Sequence, residues 1–183
     1  MAKKNVRNKK SNQTSVNKKN YNQIFKIAVI VLIIVFAVFM AINYFIPDKN
    51  NDNEFMFKKD GVLTFYDSTG NTLAKIDIQI ANTDFDRQLG LMFRKSMHEN
   101  QGMLFIFPQE SVQSFWMRNT YISLDMIFVN TGKKIITIQR NTKILSDKSY
   151  QSSGPANYVI EVDAGFSNKF NIKVGDRVDW SKI

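Results

Sequence analysis

The sequence predicts a β-rich α+β domain, built as a mixed β-barrel or sandwich with one or two short helices, behind a single N-terminal transmembrane helix. One apolar run near the N-terminus is long enough to cross a bilayer. The chain beyond it contains at least seven short stretches rich in β-branched and aromatic residues, separated by turn formers. Only one or two stretches there carry helical signals. Many short strands with few helices are typical of barrels and sandwiches.

The apolar run covers residues 27–46 and predicts a membrane-spanning helix. Its 20 residues would extend about 30 Å as a helix, the thickness of the hydrocarbon core. Residues 1–26 hold eight basic residues and no acidic one, which predicts a disordered cytoplasmic tail and a domain outside the cytoplasmic membrane, periplasmic or extracellular. The run exceeds the apolar region of a signal peptide and no A-x-A-like site follows, so we expect an uncleaved anchor. Residues 47–60 are polar and predict a tether to a domain at 61–183.

The net charge of +9 over 183 residues comes from this tail, because 17 basic and 16 acidic residues follow residue 46. Nucleic-acid-binding domains carry their basic patch on the folded surface, so we expect no nucleic-acid partner. The absence of cysteine excludes thiol catalysis, disulfides and Cys-based zinc sites. The single histidine, His98, lies near several methionines that suit Cu(I), but methionine is also an ordinary core filler. We therefore predict no metal site and no cofactor.

The first elements of the domain read as a hairpin followed by a helix. Val62–Tyr66 is a short run of strand-forming residues, and Leu73–Ile80 alternates in polarity. Turn formers at residues 67–71 separate the two, which is typical of a hairpin. Thr83 is a good helix cap, and Phe85, Leu89 and Met92 share one helical face, so the spacing predicts an amphipathic helix that Arg94 closes. Gly90 weakens that helix and suggests close packing against a neighbour.

The second half reads as five or more strands and a short helix. Pro108 is expected to end a strand that begins at Met103. A helix is predicted at Phe166–Phe170, with Asn171 ending it in the left-handed conformation. The other predicted strands are Phe115–Met117, Tyr121–Val129, Lys134–Gln139, Tyr158–Asp163 and Asp176–Trp180.

Several segments of unusual composition occur between Arg87 and Val178. They are RQLGLMFR (87–94), GMLFIF (102–107), SFWMRNT (114–120), ISLDMIF (122–128), Tyr150 with Ser152, PANYVIEVDAG (155–165) and IKVGDRV (172–178). In this order they resemble the domain-of-unknown-function 192 family. The resemblance implies a small mixed β-barrel with short helices and supplies no reaction. The chain has Asn171 where the family pattern has Gly, and Ile160 where Leu is common, and neither change alters the expected fold.

Two predicted strands each place one carboxylate, Asp125 or Glu161, among apolar neighbours. A charge buried there needs a partner that offsets its loss of hydration. The two carboxylates are interpreted as structural ion pairs, as the polar floor of a ligand cleft, or as an acid/base pair. Arg94, Arg87 and Arg118 are candidate partners, and Arg94 is the one predicted to hold Asp125 through a two-pronged hydrogen bond. The full candidate cleft comprises Arg94, Trp116, Asn119, Thr120, Asp125 and Glu161.

At three of these positions a purely structural role is an alternative to a role in the cleft. Trp116 is expected first in the core or at a structural corner and second on the wall of a ligand cleft. Asn119 and Thr120 follow a strand, where they serve equally well as turn formers.

These patterns predict a membrane-anchored domain that binds a small polar ligand, an envelope component or a protein partner. No residue is assigned as catalytic. One alternative is a hydrolase of envelope glycans or peptides that uses Asp125 and Glu161 across a groove. A second alternative is an assembly partner without a small ligand, which would present a flat apolar patch instead of a cleft.

Overall fold

The computed structural model describes residues 9–45 and 56–183, and the chain divides into two compact units, Met1–Asn51 and Asp52–Ile183. The described residues of the first unit form one helix, α1, which runs from Lys9 to Phe45. Residues 9–26 are therefore helical, although the sequence predicts them as disordered; adding residues to an existing helix gains one hydrogen bond each once the nucleus exists. Within α1, Gln23–Ala41 is long and apolar enough to cross a membrane, with a mean hydropathy of 3.0 and no residue buried. Residues 47–55, most of the predicted tether at 47–60, lie outside the described residues, as does residue 46 at the end of the predicted span.

The second unit is built on one mixed sheet of seven strands. The strands are β1 Gly61–Tyr66, β2 Thr72–Ala81, β3 Gln101–Met117, β4 Leu124–Val129, β5 Ile135–Gln139, β6 Ser146–Asp163 and β7 Arg177–Lys182. Their order is β5-β4-β6-β3-β2-β1-β7, and among these described strands only β2 and β3 pair in parallel. Two short helices join them, α2 at Asp84–Leu89 and α3 at Phe166–Lys169. The predicted mixed, β-rich architecture with short helices is confirmed, and the two edge strands approach each other at one bridge, between Lys134 and Arg177.

The local signals of the first hairpin and of α3 are confirmed. β1 and β2 pair antiparallel around a turn in which the Asp67 carboxylate accepts the backbone N–H groups of Thr69 and Asn71. Asn171 follows α3 with a φ of 55°, the left-handed conformation that asparagine tolerates well.

The helix predicted to run to Arg94 is wrong in length and in its packed face. Thr83 caps α2 as expected, but the helix ends at Leu89, and the φ of 50° and ψ of −132° at the following Gly90 are accessible to glycine alone. An added Cβ at Gly90 would lie 3.2 Å from the Phe105 ring, which is the close packing that the sequence suggested. Phe85, expected on the packed face, is 69% exposed.

Two strand boundaries also differ from the prediction. Pro108 does not end β3: the strand continues to Met117, and the register with β6 shifts between Ile106 and Ser111. A bulge accommodates a proline because the missing N–H need not enter the ladder. β6 begins at Ser146, twelve residues before the predicted start at Tyr158. The long β3–β6 ribbon therefore extends the sheet well beyond the expected strands.

Apolar residues cover both faces of this sheet, and the two faces differ in what packs on them. The first face carries α3 and a cluster that includes Ile78, Ile127, Ile160, Val162 and Phe166. The second face carries Leu91, from the turn after α2, and a cluster that includes Met103, Phe105, Met126, Phe128 and Val159. Every residue of β4 is consequently buried.

Candidate functional site

A cleft of about 350 Å³ lies on the second face of the sheet, beneath α2 and the turn that follows it. Strand β3 provides its aromatic residues, and β6 provides Glu161 and the polar rim near its start. Its apolar lining consists of Leu89, Leu91, Met92, Phe105, Phe107, Phe115 and Trp116, with Gly90 between them. Its polar lining consists of Arg87, Gln88, Gln113, Ser114, Thr120, Asp147, Ser149 and Glu161.

The aromatic wall is held by edge-to-face packing. The Phe115 ring lies 5.0 Å from the Phe105 ring and 6.2 Å from the Phe107 ring, both in T-shaped arrangements. Phe115 also meets the buried Phe128 ring at 6.0 Å. Such pairs contribute about 0.5–1.5 kcal/mol beyond the area that they bury, so this wall is preorganised.

Glu161 lies at the buried end of the cleft. In the sheet it pairs with Met103 of β3 and Met126 of β4, so its side chain points to the second face. The residue is 4% exposed. Burial raises the pKa of the Glu161 carboxyl group to about 8, and the Arg94 guanidinium opposes that rise. A carboxyl group with a strongly raised pKa in a cleft is typical of functional sites.

The positive charge of Arg94 acts on the pKa of Glu161. Among the described residues, however, Arg94 and Glu161 form no ion pair within 4.0 Å. Its Nη2 donates to Gln79 Oε1 at 2.6 Å, and its buried Nε has no partner among the described residues. Burial also lowers the pKa of Arg94, and the Glu161 carboxylate opposes that change. Arg94 therefore influences Glu161 electrostatically from outside the cleft lining.

The predicted pairing of Arg94 with Asp125 is wrong. Asp125 is fully buried, and its carboxylate accepts the backbone N–H groups of Asn141 at 2.9 Å, Gly165 at 3.3 Å and Ser167 at 2.9 Å. Asp125 pairs across the sheet with Val162, so it points to the first face, opposite to Glu161. The buried charge of Asp125 is therefore stabilised by backbone N–H donors and not by an arginine.

Trp116 is 47% exposed, so the expected core position is wrong, and the residue is among those that line the cleft. The Arg118 guanidinium stacks 4.4 Å from its ring and donates to Asp147 at 2.8 Å. Thr120 is buried and lines the cleft, while its hydroxyl group donates to the Arg118 carbonyl.

Asn119 does not line the cleft. Its φ of 53° makes the turn after β3, and its carbonyl accepts the N–H group of Phe93. The structure thus brings Trp116, Thr120 and Glu161 together, places Arg94 behind Glu161, and leaves Asn119 and Asp125 elsewhere.

Sequence reasoning missed most of the polar rim. Ser114 and Ser149 share a hydrogen bond of 2.7 Å between their hydroxyl groups across the β3–β6 ribbon. Gln113 donates to Ser111 and to the Ala156 carbonyl. No local signal marks Ser149, because the start of β6 is polar and lacks clear alternation. Within the described residues, no group of three or more His, Asp or Glu side chains is arranged to hold a metal ion.

Comparisons with known proteins agree on one family of uncharacterised proteins. The family DUF192 (Uncharacterized ACR) matches residues 65–180. The UPF0127 protein PF1050 of Pyrococcus furiosus is 30% identical over 114 residues, which cover 60% of this chain and 90% of the relative. The UPF0127 protein PH1112 of Pyrococcus horikoshii is 28% identical over 109 residues, which cover 57% and 87%.

Two solved structures are similar to this chain in fold. A candidate transcription regulator of Sinorhizobium meliloti is similar with a TM-score of 0.65 and 30% identity, over 68% of this chain and 97% of that one. A protein of unknown function from Novosphingobium aromaticivorans is similar with a TM-score of 0.62 and 31% identity, over 65% and 84%.

Proposed function

This chain belongs to the DUF192 family, and we propose that it is a membrane-anchored protein whose β-rich domain binds a small ligand. The observation that carries the proposal is the cleft itself, a concave site of about 350 Å³ with an aromatic wall and a buried carboxyl group at its inner end. Ligand sites in proteins are mostly of this kind, with apolar walls and a few placed polar groups.

A hydrolase that uses Asp125 and Glu161 is disfavoured by the register of β4 and β6. The two carboxyl groups point to opposite faces of one sheet, so no substrate can lie between them. The other carboxylate at the cleft, Asp147, is already engaged by Arg118. Binding without hydrolysis is therefore the better-supported function.

DNA binding, which the description of the Sinorhizobium meliloti protein raises, is also disfavoured. After residue 46 the chain carries 17 basic and 16 acidic residues, and DNA-binding domains present a clear excess of positive charge. The basic residues 1–26 flank the apolar helix, where an excess of Lys and Arg fixes topology.

The anchor proposal rests on Gln23–Ala41 and the basic residues before it. We infer a single span with the N-terminus in the cytoplasm and the β-rich domain outside. Membrane fractionation, followed by N-terminal sequencing of the mature chain, tests this. A soluble product that begins beyond Ala41 would show a cleaved signal sequence and refute the anchor.

Ligand binding is tested with two small aromatic probes, benzamide and benzamidine, on the full chain in detergent micelles. Trp116 fluorescence reports on the cleft once the second tryptophan is replaced by Trp180→Phe. We expect saturable quenching below about 10 mM for at least one probe. Ser149→Phe should block it by filling the rim, whereas Lys148→Phe, on the neighbouring exposed residue outside the cleft lining, should not. No saturable response to either probe would refute a small-ligand cleft of this kind.

A further inference from the structure

We propose that the cleft selects an organic cation, a small molecule with an apolar body and a protonated nitrogen that donates to Glu161. The proposal rests on the proposed binding function and names the class of ligand. It follows from a comparison of the charged residues that line the cleft: two of them already bind protein partners, and one does not.

Three ionisable side chains line the cleft, and two of them are committed to protein partners. Arg87 donates to the Asp84 carboxylate and to the carbonyl groups of Asn82 and Ile106. Asp147 accepts from Arg118 Nε at 2.8 Å. Glu161 remains, and none of the described residues donates a hydrogen bond to its carboxyl group or forms an ion pair with it.

The position of Glu161 favours a ligand as its missing partner. Its neighbours across β3 and β4 are Met103 and Met126, which offer no donor. Glu161 is a buried residue, 4% exposed, and a buried carboxyl group without a donor is costly unless a group that enters the cleft supplies one. An N–H group on a cation is the strongest such donor, since charge-assisted hydrogen bonds are roughly twice as strong as neutral ones.

The walls suit the rest of such a ligand. Phe105, Phe107 and Phe115 present an aromatic surface that takes an apolar body, and aromatic faces also attract cations. An anionic ligand would find little compensation in the lining, because the cation that lines the cleft, Arg87, is held by three partners. Arg94 lies outside the lining and is bound to Gln79.

A pH dependence follows from the groups near Glu161. The charge of Arg94, from the segment after α2, acts on the pKa of Glu161, and its cross-strand neighbours Met103 and Met126 are neutral. The other charged residues that line the cleft are Arg87 from α2 and Asp147 from the start of β6. Because burial raises the pKa of Glu161 to about 8, the empty site holds a proton at pH 6 that a bound cation displaces. Affinity for a cation should therefore increase between pH 6 and 8, by up to about tenfold per pH unit.

The test compares benzamidine, an aromatic amidinium cation, with benzamide, its neutral counterpart of the same shape. Both are titrated into the full chain in detergent micelles, with Trp116 fluorescence in the Trp180→Phe background as the readout. We expect benzamidine to bind about tenfold more tightly or better, the effect of one charge-assisted hydrogen bond. Glu161→Gln should bring the two affinities together, whereas Asp163→Asn, two residues along β6 and outside the cleft lining, should preserve the preference.

The outcomes separate this inference from the proposed function. Equal affinities for the two probes would keep the binding cleft and overturn the choice of a cation. Loss of the preference in Asp147→Asn but not in Glu161→Gln would overturn the role of Glu161. If Glu161→Gln does not fold, benzamidine affinity is measured from pH 6 to 8 on the protein that retains Glu161. An affinity that stays constant over this range overturns the inference.

Discussion

Replacement of Asp125 by asparagine should destabilise the β-rich domain strongly without any role for arginine. The Asp125 carboxylate receives three backbone N–H groups, two at 2.9 Å and one at 3.3 Å, from the loop after β5 and from the start of α3. Asparagine keeps one carbonyl oxygen and places an NH₂ group where the other oxygen accepted. In the fully buried site one backbone donor, such as that of Ser167, then faces another donor.

The magnitude follows from these contacts. A hydrogen bond to a charged group contributes about 1.5–3 kcal/mol, and a buried donor without a partner costs about 1–3 kcal/mol. We expect Asp125→Asn to lower the free energy of unfolding by about 3 kcal/mol. Asp163→Asn, the same chemical change on β6 with no hydrogen bond to lose among the described residues, should stay within about 0.5 kcal/mol of the unmodified protein.

Urea unfolding of the full chain in detergent micelles measures both values, because the two tryptophans, Trp116 and Trp180, lie in the β-rich domain. The double variant with Arg94→Gln gives a further check. Asp125 has its own backbone partners on the first face of the sheet, whereas Arg94 acts on Glu161 on the second, so the two losses should add within about 0.5 kcal/mol. A loss below about 0.5 kcal/mol for Asp125→Asn, or clear coupling to Arg94, would refute this reasoning.

Three further predictions concern the cleft and its supports. Since burial raises the pKa of Glu161 to about 8 from 4.5, the folded state holds a proton that the unfolded state releases between these values, so stability should fall as pH rises from 5 to 8. In melts at pH 5, 7 and 9, the free energy of unfolding of Glu161→Gln should fall less steeply with pH than that of the unmodified protein, by up to about 1.4 kcal/mol per pH unit. Equal slopes for the two proteins would contradict this. Gly90→Ala should cost about 1–3 kcal/mol because of its φ of 50° and the nearby Phe105 ring, whereas Gly154→Ala, with no atom within 4 Å of the added Cβ, should cost less than about 1 kcal/mol in the same melts. Trp116→Ala should cost under about 1.5 kcal/mol but abolish the fluorescence response to probes, while Phe105→Ala should cost about 3–5 kcal/mol; equal losses would place Trp116 in the core.

Local chemistry in the sequence determined several features of this protein. The apolar composition of residues 27–46 identifies the helix that contains Gln23–Ala41, since it depends only on which side chains follow one another. The turn at Asp67 and the left-handed Asn171 are likewise fixed by contacts within a few residues. The family follows from segments in a definite order between Arg87 and Val178.

The extent of β3 and the end of α2 depended on tertiary structure. Pro108 favours a strand end locally, but pairing with the long β6 carries β3 past it through a register shift. The i, i+4, i+7 spacing of Phe85, Leu89 and Met92 favours a longer helix, yet the approach of Gly90 to the Phe105 ring ends α2 early. In both cases a distant strand outweighs a weak local preference.

The site itself shows most clearly what the sequence could not decide. Alternation places Asp125 on one face of β4 and Glu161 on one face of β6, but a strand does not specify which of its faces matches which face of its neighbour. That choice is set by register, and a shift of one residue moves every side chain of a strand to the other face. The observed register pairs Asp125 with Val162 and Glu161 with Met126. The register therefore places the two carboxyl groups on opposite faces of the sheet. Asp125 accepts backbone hydrogen bonds around α3, and Glu161 lines the cleft.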